Sequence, residues 1–175
     1  MTKPIVNLCA FDPNWEAKFE YEKSRIVHAL KDKIISIEHI GSTSINGLEA
    51  KPIIDIMVGV KDLNEVPTFF DTLAEVDYEH VPKVEFKDRR FFRKGLWGQG
   101  TSHLHVCEFN SDEWLEKILF RDYLRQHPDI AEQYAILKRT LATEHKEDRS
   151  TYTKRKEPFI RMVIEQAWRE IESEE

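Results

Sequence analysis

Residues 37–60 read IEHIGSTSINGLEAKPIIDIMVGV. The stretch opens on the end of an alternating segment, 33–40, whose Ile34, Ile35, Ile37 and Ile40 suit a strand. A small-residue loop follows, Gly41-Ser42-Thr43-Ser44, then the turn signal Asn46-Gly47. Residues 52–60 form a near-continuous β-branched run, as expected of a strand covered on both faces. One carboxylate, Asp55, stands inside that run. Such a group is costly to bury unless it is paired, hydrogen-bonded or bound to a metal. A glycine lets backbone come close to a phosphate. The hydroxyls and N–H groups after it favour an anion, more so if they open a helix. A hard divalent cation takes a few carboxylates plus substrate phosphates. Gly-Ser loops and lone strand aspartates are each common. At this spacing each makes the other useful, and together they predict a nucleotide triphosphate gripped by Gly41, Ser42 and Thr43 on one side and by Asp55 with a metal on the other.

Outward from this core the chain divides by texture near residue 110. On the N-terminal side, 5–8 is a short apolar start, and Asp12-Pro13-Asn14 opens a helix that Asn14 can cap. Trp15, Phe19, Ile26 and Leu30 carry that helix to Lys31. A helix over 63–76 and strands over 78–81, 89–96 and 103–109 follow, with Gly95, Gly98 and Gly100 marking a loop. From Ser111 the period becomes helical. Ser111, Asp112 and Glu113 suit a helix start, Pro128 stops that helix, and Asp129 is placed to cap the next. A last helix spans 150–169, where Pro158 predicts a kink or a break. The fold class is α+β: a mixed sheet with flanking helices over about 1–110 and a helical part over about 111–175, as one domain.

Hydrophobic residues make up 41% of the 175 and charged residues 33%, enough for a core under a solvated surface. A net charge of −6 argues against stable, non-specific nucleic-acid binding. Cys9 and Cys107 are far apart with no CxxC, so they read as reduced thiols of a cytoplasmic protein. No run approaches the roughly 20 apolar residues of a membrane span.

The block at 37–60, with SHLHVCEF, FRDYLRQHPDIAEQYAILKRTLA and DRSTYTKRKEPFI further on, resembles the GrpB-like proteins. The resemblance covers roughly 13–167. That family is similar to the nucleotidyltransferase superfamily that includes DNA polymerase beta. Its pattern is Gly-Ser, a gap, Asp-x-Asp or Asp-x-Glu, and a third acid on a later strand. The resemblance places Gly41 and Ser42 on the Gly-Ser element and Asp55 on the first acid. The second acid falls on Met57, a departure, because a thioether is a poor ligand for Mg²⁺. A two-metal arrangement would lose a bridging carboxylate.

Replacements for that acid are available. His103 and His105 sit at i and i+2 on a predicted strand and share a face. With Asp55 they could form a mixed site for a divalent metal: Mg²⁺ or Mn²⁺, or another transition metal, the histidines favouring the latter. Structural histidines are the alternative. Glu38 and His39 point to opposite faces, and His39 is preferred for its place beside the loop. Glu85 is a weaker candidate for the third acid. Lys51 could reach a phosphate. Arg121 and Arg125 are four apart, share a helix face, and suit phosphate or carboxylate; Asp122 and Asp129 could simply pair with them. Tyr152, Lys154 and Lys156 could face the cleft. The expected function is nucleotidyl transfer to an unspecified acceptor. The alternatives are a non-catalytic module for a nucleotide or phosphorylated small molecule, which Met57 favours, and a metal-dependent hydrolase or lyase using the histidines. Some GrpB-like domains occur attached to a dephospho-coenzyme A kinase, which links the module to coenzyme A metabolism by analogy.

Overall fold

The computed structural model describes residues 5–96 and 100–175. Helix α1 (Asn14–Leu30) presents Trp15, Phe19, Ile26 and Leu30 to the core, the spacing read from sequence. Asn14 is inside the helix and caps nothing; Asp12 Oδ1 accepts from its N–H at 2.9 Å. A 3₁₀ turn, Lys31–Lys33, shortens the predicted strand to β1, Ser36–Ile40. β2 is Ile54–Val60. The helix expected over 63–76 is a 3₁₀ segment, Leu63–Phe69, followed by α2, Phe70–Ala74. Pro67 lies inside the first piece and cannot donate the bond a continuous α-helix needs there. β3 (Glu79–His80), β4 (Arg89–Lys94) and β5 (Ser102–Glu108) complete the strands. Gly98 lies outside the described residues.

The sheet order is β1-β2-β5-β4-β3, with only β2 and β5 parallel. One face carries Ile54, Ile56, Val58, Leu104, Val106 and Phe92 against α1 and the 3₁₀–α2 segment, forming the main core. The other face carries Asp55, Met57, His103 and His105. Part of it is covered by α3 (Asp112–Gln126), where Trp114 packs on Met57, Ile40 and Cys107.

Ser111 caps α3, accepting from the Trp114 N–H. Pro128 begins α4 (Pro128–Glu144) at its first position, where its missing N–H costs nothing, and Asp129 is not the cap. α5 runs unbroken from Arg149 to Glu174. Pro158 produces no break because it is on the exposed side, where water can serve the carbonyl it frees. Leu124, Tyr134, Ala135 and Val163 of these three helices enclose Ile45 and Leu48. The helical part is therefore seated on the 41–48 loop, and it brings α4 and α5 against the face that carries Asp55.

Candidate functional site

Gly41 has φ of +73°. A Cβ added there would lie 2.6 Å from Asp55 Oδ2, so the loop touches the carboxylate and only glycine fits. The three residues after it, Ser42–Ser44, form a single 3₁₀ turn. That turn is too short to supply the helix dipole expected from sequence. Attraction for an anion must come from side chains.

Three lysines lie near the loop. Lys138, on α4 and 2% exposed, donates to Ser42 Oγ at 2.9 Å and to the Glu49 carbonyl. Lys51 lies 5.5 Å from the centre of the Tyr152 ring, and Lys156 lies 4.7 Å from the same ring. Among the described residues none of the three has a carboxylate within 4.0 Å, and no ion pair joins them to an acid. Burial and mutual repulsion lower their pKa values: Lys138 to about 7 and Lys156 to about 8, with Lys51 also depressed by burial. Lys51 was an expected phosphate ligand, and the structure places it here. Lys156 is one of the residues expected to face the cleft, whereas Lys138 reads in the sequence as part of a charged helix face.

Asp55, His103 and His105 share one sheet face, as the alternation predicted. Parallel pairing sets Asp55 opposite His103 and Met57 opposite His105. Asp55 Oδ1 is 3.6 Å from His103 Nδ1 and 3.7 Å from His105 Nε2. Burial alone would raise the Asp55 pKa, but the two imidazoles outweigh it and hold the carboxyl well below its usual range. His105 is pushed down by burial, against the pull of Asp55, and is neutral at pH 7. Its Nδ1 is buried without a partner.

The donor set suits one borderline divalent ion. Two imidazole nitrogens flank a carboxylate oxygen at separations close to those between ligands about 2 Å from a shared ion. Among the described residues, however, no three such groups are already gathered as a metal centre. Nor does the Met57 position provide a second ion with a ligand. Met57 is 1% exposed beneath Trp114, Leu115 and Ile118, so apolar packing fills the place of the second acid.

Other candidates lie elsewhere. His39 pairs in register with Ile56, not Asp55, and faces α1. It stacks on Phe19 at 4.7 Å, bonds Thr43 Oγ1 at 2.9 Å, and is held neutral by burial, its pKa lowered to about 4. The preference for His39 over Glu38 is therefore reversed as regards the sheet face. Thr43 is turned away with His39. Glu38, on Asp55's face, is occupied by Arg121, which donates to Glu38 Oε2 at 2.7 Å and also bonds Asp122 and the His39 carbonyl. Arg125 gives two N–H groups to the Ser44 carbonyl, at 3.0 and 2.7 Å. Both arginines, with Glu38, His39 and Thr43, line a cavity of about 910 Å³ along the open edge of β1. That cavity contains neither Asp55 nor the lysines. Glu85 is exposed in the turn before β4 and approaches none of these groups.

The family model described as GrpB protein matches residues 5–166. Glutamate-rich protein GrpB of Alkalihalophilus pseudofirmus is 37% identical, over 94% of this chain and 97% of its own. A crystal structure of conserved protein GrpB from Enterococcus faecalis superposes with a TM-score of 0.87 at 34% identity, covering 94% of this chain and 99% of that one. Two structures of Cid1, one titled as a poly(U) polymerase and one as a complex with the UTP analogue UMPNPP, superpose with TM-scores of 0.52. They are 10% and 12% identical and cover 85% of this chain and 45% of theirs, a likeness of fold. A dephospho-CoA kinase of Mycolicibacterium paratuberculosis is 26% identical over 93% of this chain, which spans 46% of that protein. No described helix is long and apolar enough to cross a membrane.

Proposed function

The chain belongs to the GrpB family, and on that premise we propose that it binds the phosphates of a nucleoside triphosphate and transfers the nucleotidyl group to an acceptor hydroxyl, breaking the bond from the α-phosphorus to the bridging oxygen and releasing pyrophosphate. One observation carries the reading: the Gly41–Ser42 loop rests against the only carboxylate of the β2 strand, while Lys138 bonds Ser42 and Lys51 and Lys156 lie beside Tyr152, none of the three in an ion pair within 4.0 Å. The fold shared with Cid1 supports it. Ser42, Lys51, Lys138 and Lys156 hold the phosphates. Asp55 stays ionised and fixes the reacting end. With no ion on Asp55, His105 Nε2, whose pKa burial lowers, is the nitrogen placed to take a proton from an attacking hydroxyl. Asp55, His103 and His105 would hold one divalent ion, which when bound polarises a phosphoryl oxygen.

A second reading has its own observation. The burial of Met57 under Trp114 removes the second-acid position, which favours a module that binds a nucleotide or phosphorylated metabolite without acting on it. The similarity to dephospho-CoA kinases would place such a module in coenzyme A metabolism. The two readings separate on incubation with α-labelled nucleoside triphosphates, a small-molecule cell extract and Mg²⁺ or Mn²⁺. Transfer predicts a labelled product that disappears in Asp55→Asn. Saturable nucleotide binding by calorimetry with no product under either metal supports the binding module. No binding of any nucleotide overturns both.

A further inference from the structure

Two observations, taken together, say where the neutralising charge in this site comes from. The place of the second metal-bridging acid is closed. Met57 stands there, buried, with Ile40, Cys107 and Trp114 packed around it. At most one ion can sit on Asp55, and a nucleotide's phosphates would carry several uncompensated negative charges. Near Asp55 the protein gathers three lysines that lack a close ion pair: Glu49, Asp55 and Glu157 act on them only from beyond 4.0 Å. Lys51 precedes β2, Lys138 comes from α4, and Lys156 comes from α5. Three separate elements thus converge on Ser42 and Tyr152. Ammonium groups packed together at a protein's half-buried surface repel one another, and proteins ordinarily intersperse acids among them. Here the groups are instead held by neutral acceptors and ring faces: a serine hydroxyl, a backbone carbonyl, and the faces of Tyr152 and Tyr134. Such partners position an ammonium without neutralising it.

We propose that Lys51, Lys138 and Lys156 replace the metal ions as the principal neutralising charge for phosphates in this cleft, so that phosphate binding does not require a divalent cation. The proposal rests on the reading of the cleft as a phosphate site and assigns the charge within it. It also gives Tyr152 a purpose: its ring lies within 5.5 Å of both Lys51 and Lys156 and positions them without neutralising either. An ion on Asp55 then serves the reacting end alone.

The test is calorimetric titration of the whole chain with ATP, and separately with inorganic pyrophosphate, in EDTA and in Mg²⁺. The expected affinities in EDTA and Mg²⁺ agree within about threefold. Lys51→Met and Lys156→Met each weaken binding about tenfold or more in EDTA, in line with the loss of one close charge contact, whereas Lys156→Arg retains most of it. Asp55→Asn strengthens binding in EDTA, because it removes a negative charge beside the phosphates. Unfolding midpoints of the variants show that each chain is folded. Loss of binding in EDTA, restored by Mg²⁺ only when Asp55 is intact, assigns the charge to metal and overturns the proposal while leaving the phosphate site standing. Lysine variants that fold and bind as the parent does also overturn it. No binding under either condition overturns the phosphate site, and the proposal with it.

Discussion

Ser42 and Thr43 are neighbours in the chain, yet the two sides of their loop treat charge in opposite ways. On the Ser42 side, Lys138 is bonded to neutral oxygens, and Lys51 and Lys156 lie over a ring. On the Thr43 side, Arg121 is matched to Glu38 and Asp122, Arg125 is tied to the Ser44 carbonyl, and His39 is neutral. The second side lines a cavity of about 910 Å³, but its polar groups are largely satisfied by the protein itself. On the first side the nearest partners of the lysines are neutral, and carboxylates act on them only at longer range. An unbalanced set of cations is a stronger mark of a binding site than volume, because the protein could lower its energy by pairing them and does not.

The largest effect that would sharpen this contrast comes from Met57. Met57→Asp would restore the acid pair in sequence, but the side chain would be buried among Ile40, Cys107 and Trp114. A loss of at least about 3 kcal/mol is expected by urea unfolding, against less than ~1.5 kcal/mol for Met57→Leu. A stable Met57→Asp chain that binds divalent ions more tightly would mean that the cleft reaches this position after all.

Next comes Gly41→Ala. Its φ of +73° and the 2.6 Å approach to Asp55 Oδ2 both oppose a side chain. A cost of about 2–3 kcal/mol is expected, together with loss of phosphate binding, because Ser42 and Asp55 would part. Full stability in this variant would refute the contact on which the site is built.

His39→Phe probes the other side. The stack on Phe19 survives, the bond to Thr43 is lost, and the cost should be about 1 kcal/mol. ATP affinity should not change. A large drop in affinity would join the two sides of the loop into one site.

Much of the Ser42 side was legible in the sequence, and the reasons are specific. Alternation on a strand placed His103 and His105 on one face, and the lone Asp55 in an apolar run marked the other strand. Register was not legible: that Ile40 lies opposite Asp55, which turns His39 away, follows from the antiparallel β1–β2 pairing. Lys138 was hidden because a lysine on an amphipathic helix ordinarily reads as solvated. One local signal existed. Tyr152 and Lys156 are four apart on α5 and so share a face. The convergence of Lys51 and Lys138 on that face is a long-range fact that no local period encodes. Pro67 and Pro158 show the same limit. Each interrupts a helical pattern, but only the packing around it decides whether the helix changes type, as at Pro67, or continues, as at Pro158.

The smallest expected effect bears most directly on the contrast, because it sets stability against binding. Lys138 loses its proton near pH 7 in the folded chain, through burial and the neighbouring Lys156 and Lys51, against the partial support of Glu49. In the unfolded chain it does so near ~10.4. Between these values the unfolded state binds more protons, so this residue makes stability rise with pH. Below pH 7 the folded chain carries the full unfavourable charge, and above about 10.4 neither state carries it. Lys138→Met should therefore stabilise the chain at pH 6 by on the order of 1 kcal/mol, with the lost bonds to Ser42 and Glu49 offsetting part of a larger gain. The gain should shrink as pH rises above 7, cross zero, and become a loss of the Ser42 and Glu49 bonds by about pH 10. Over the same range the parent should bind pyrophosphate more weakly as its lysines lose charge. Opposite slopes for stability and binding in the parent, both flattened in Lys138→Met, are the signature of a cation kept in place for a ligand. A residue kept only for the fold would make the variant less stable at every pH, as the arginines on the Thr43 side should on replacement.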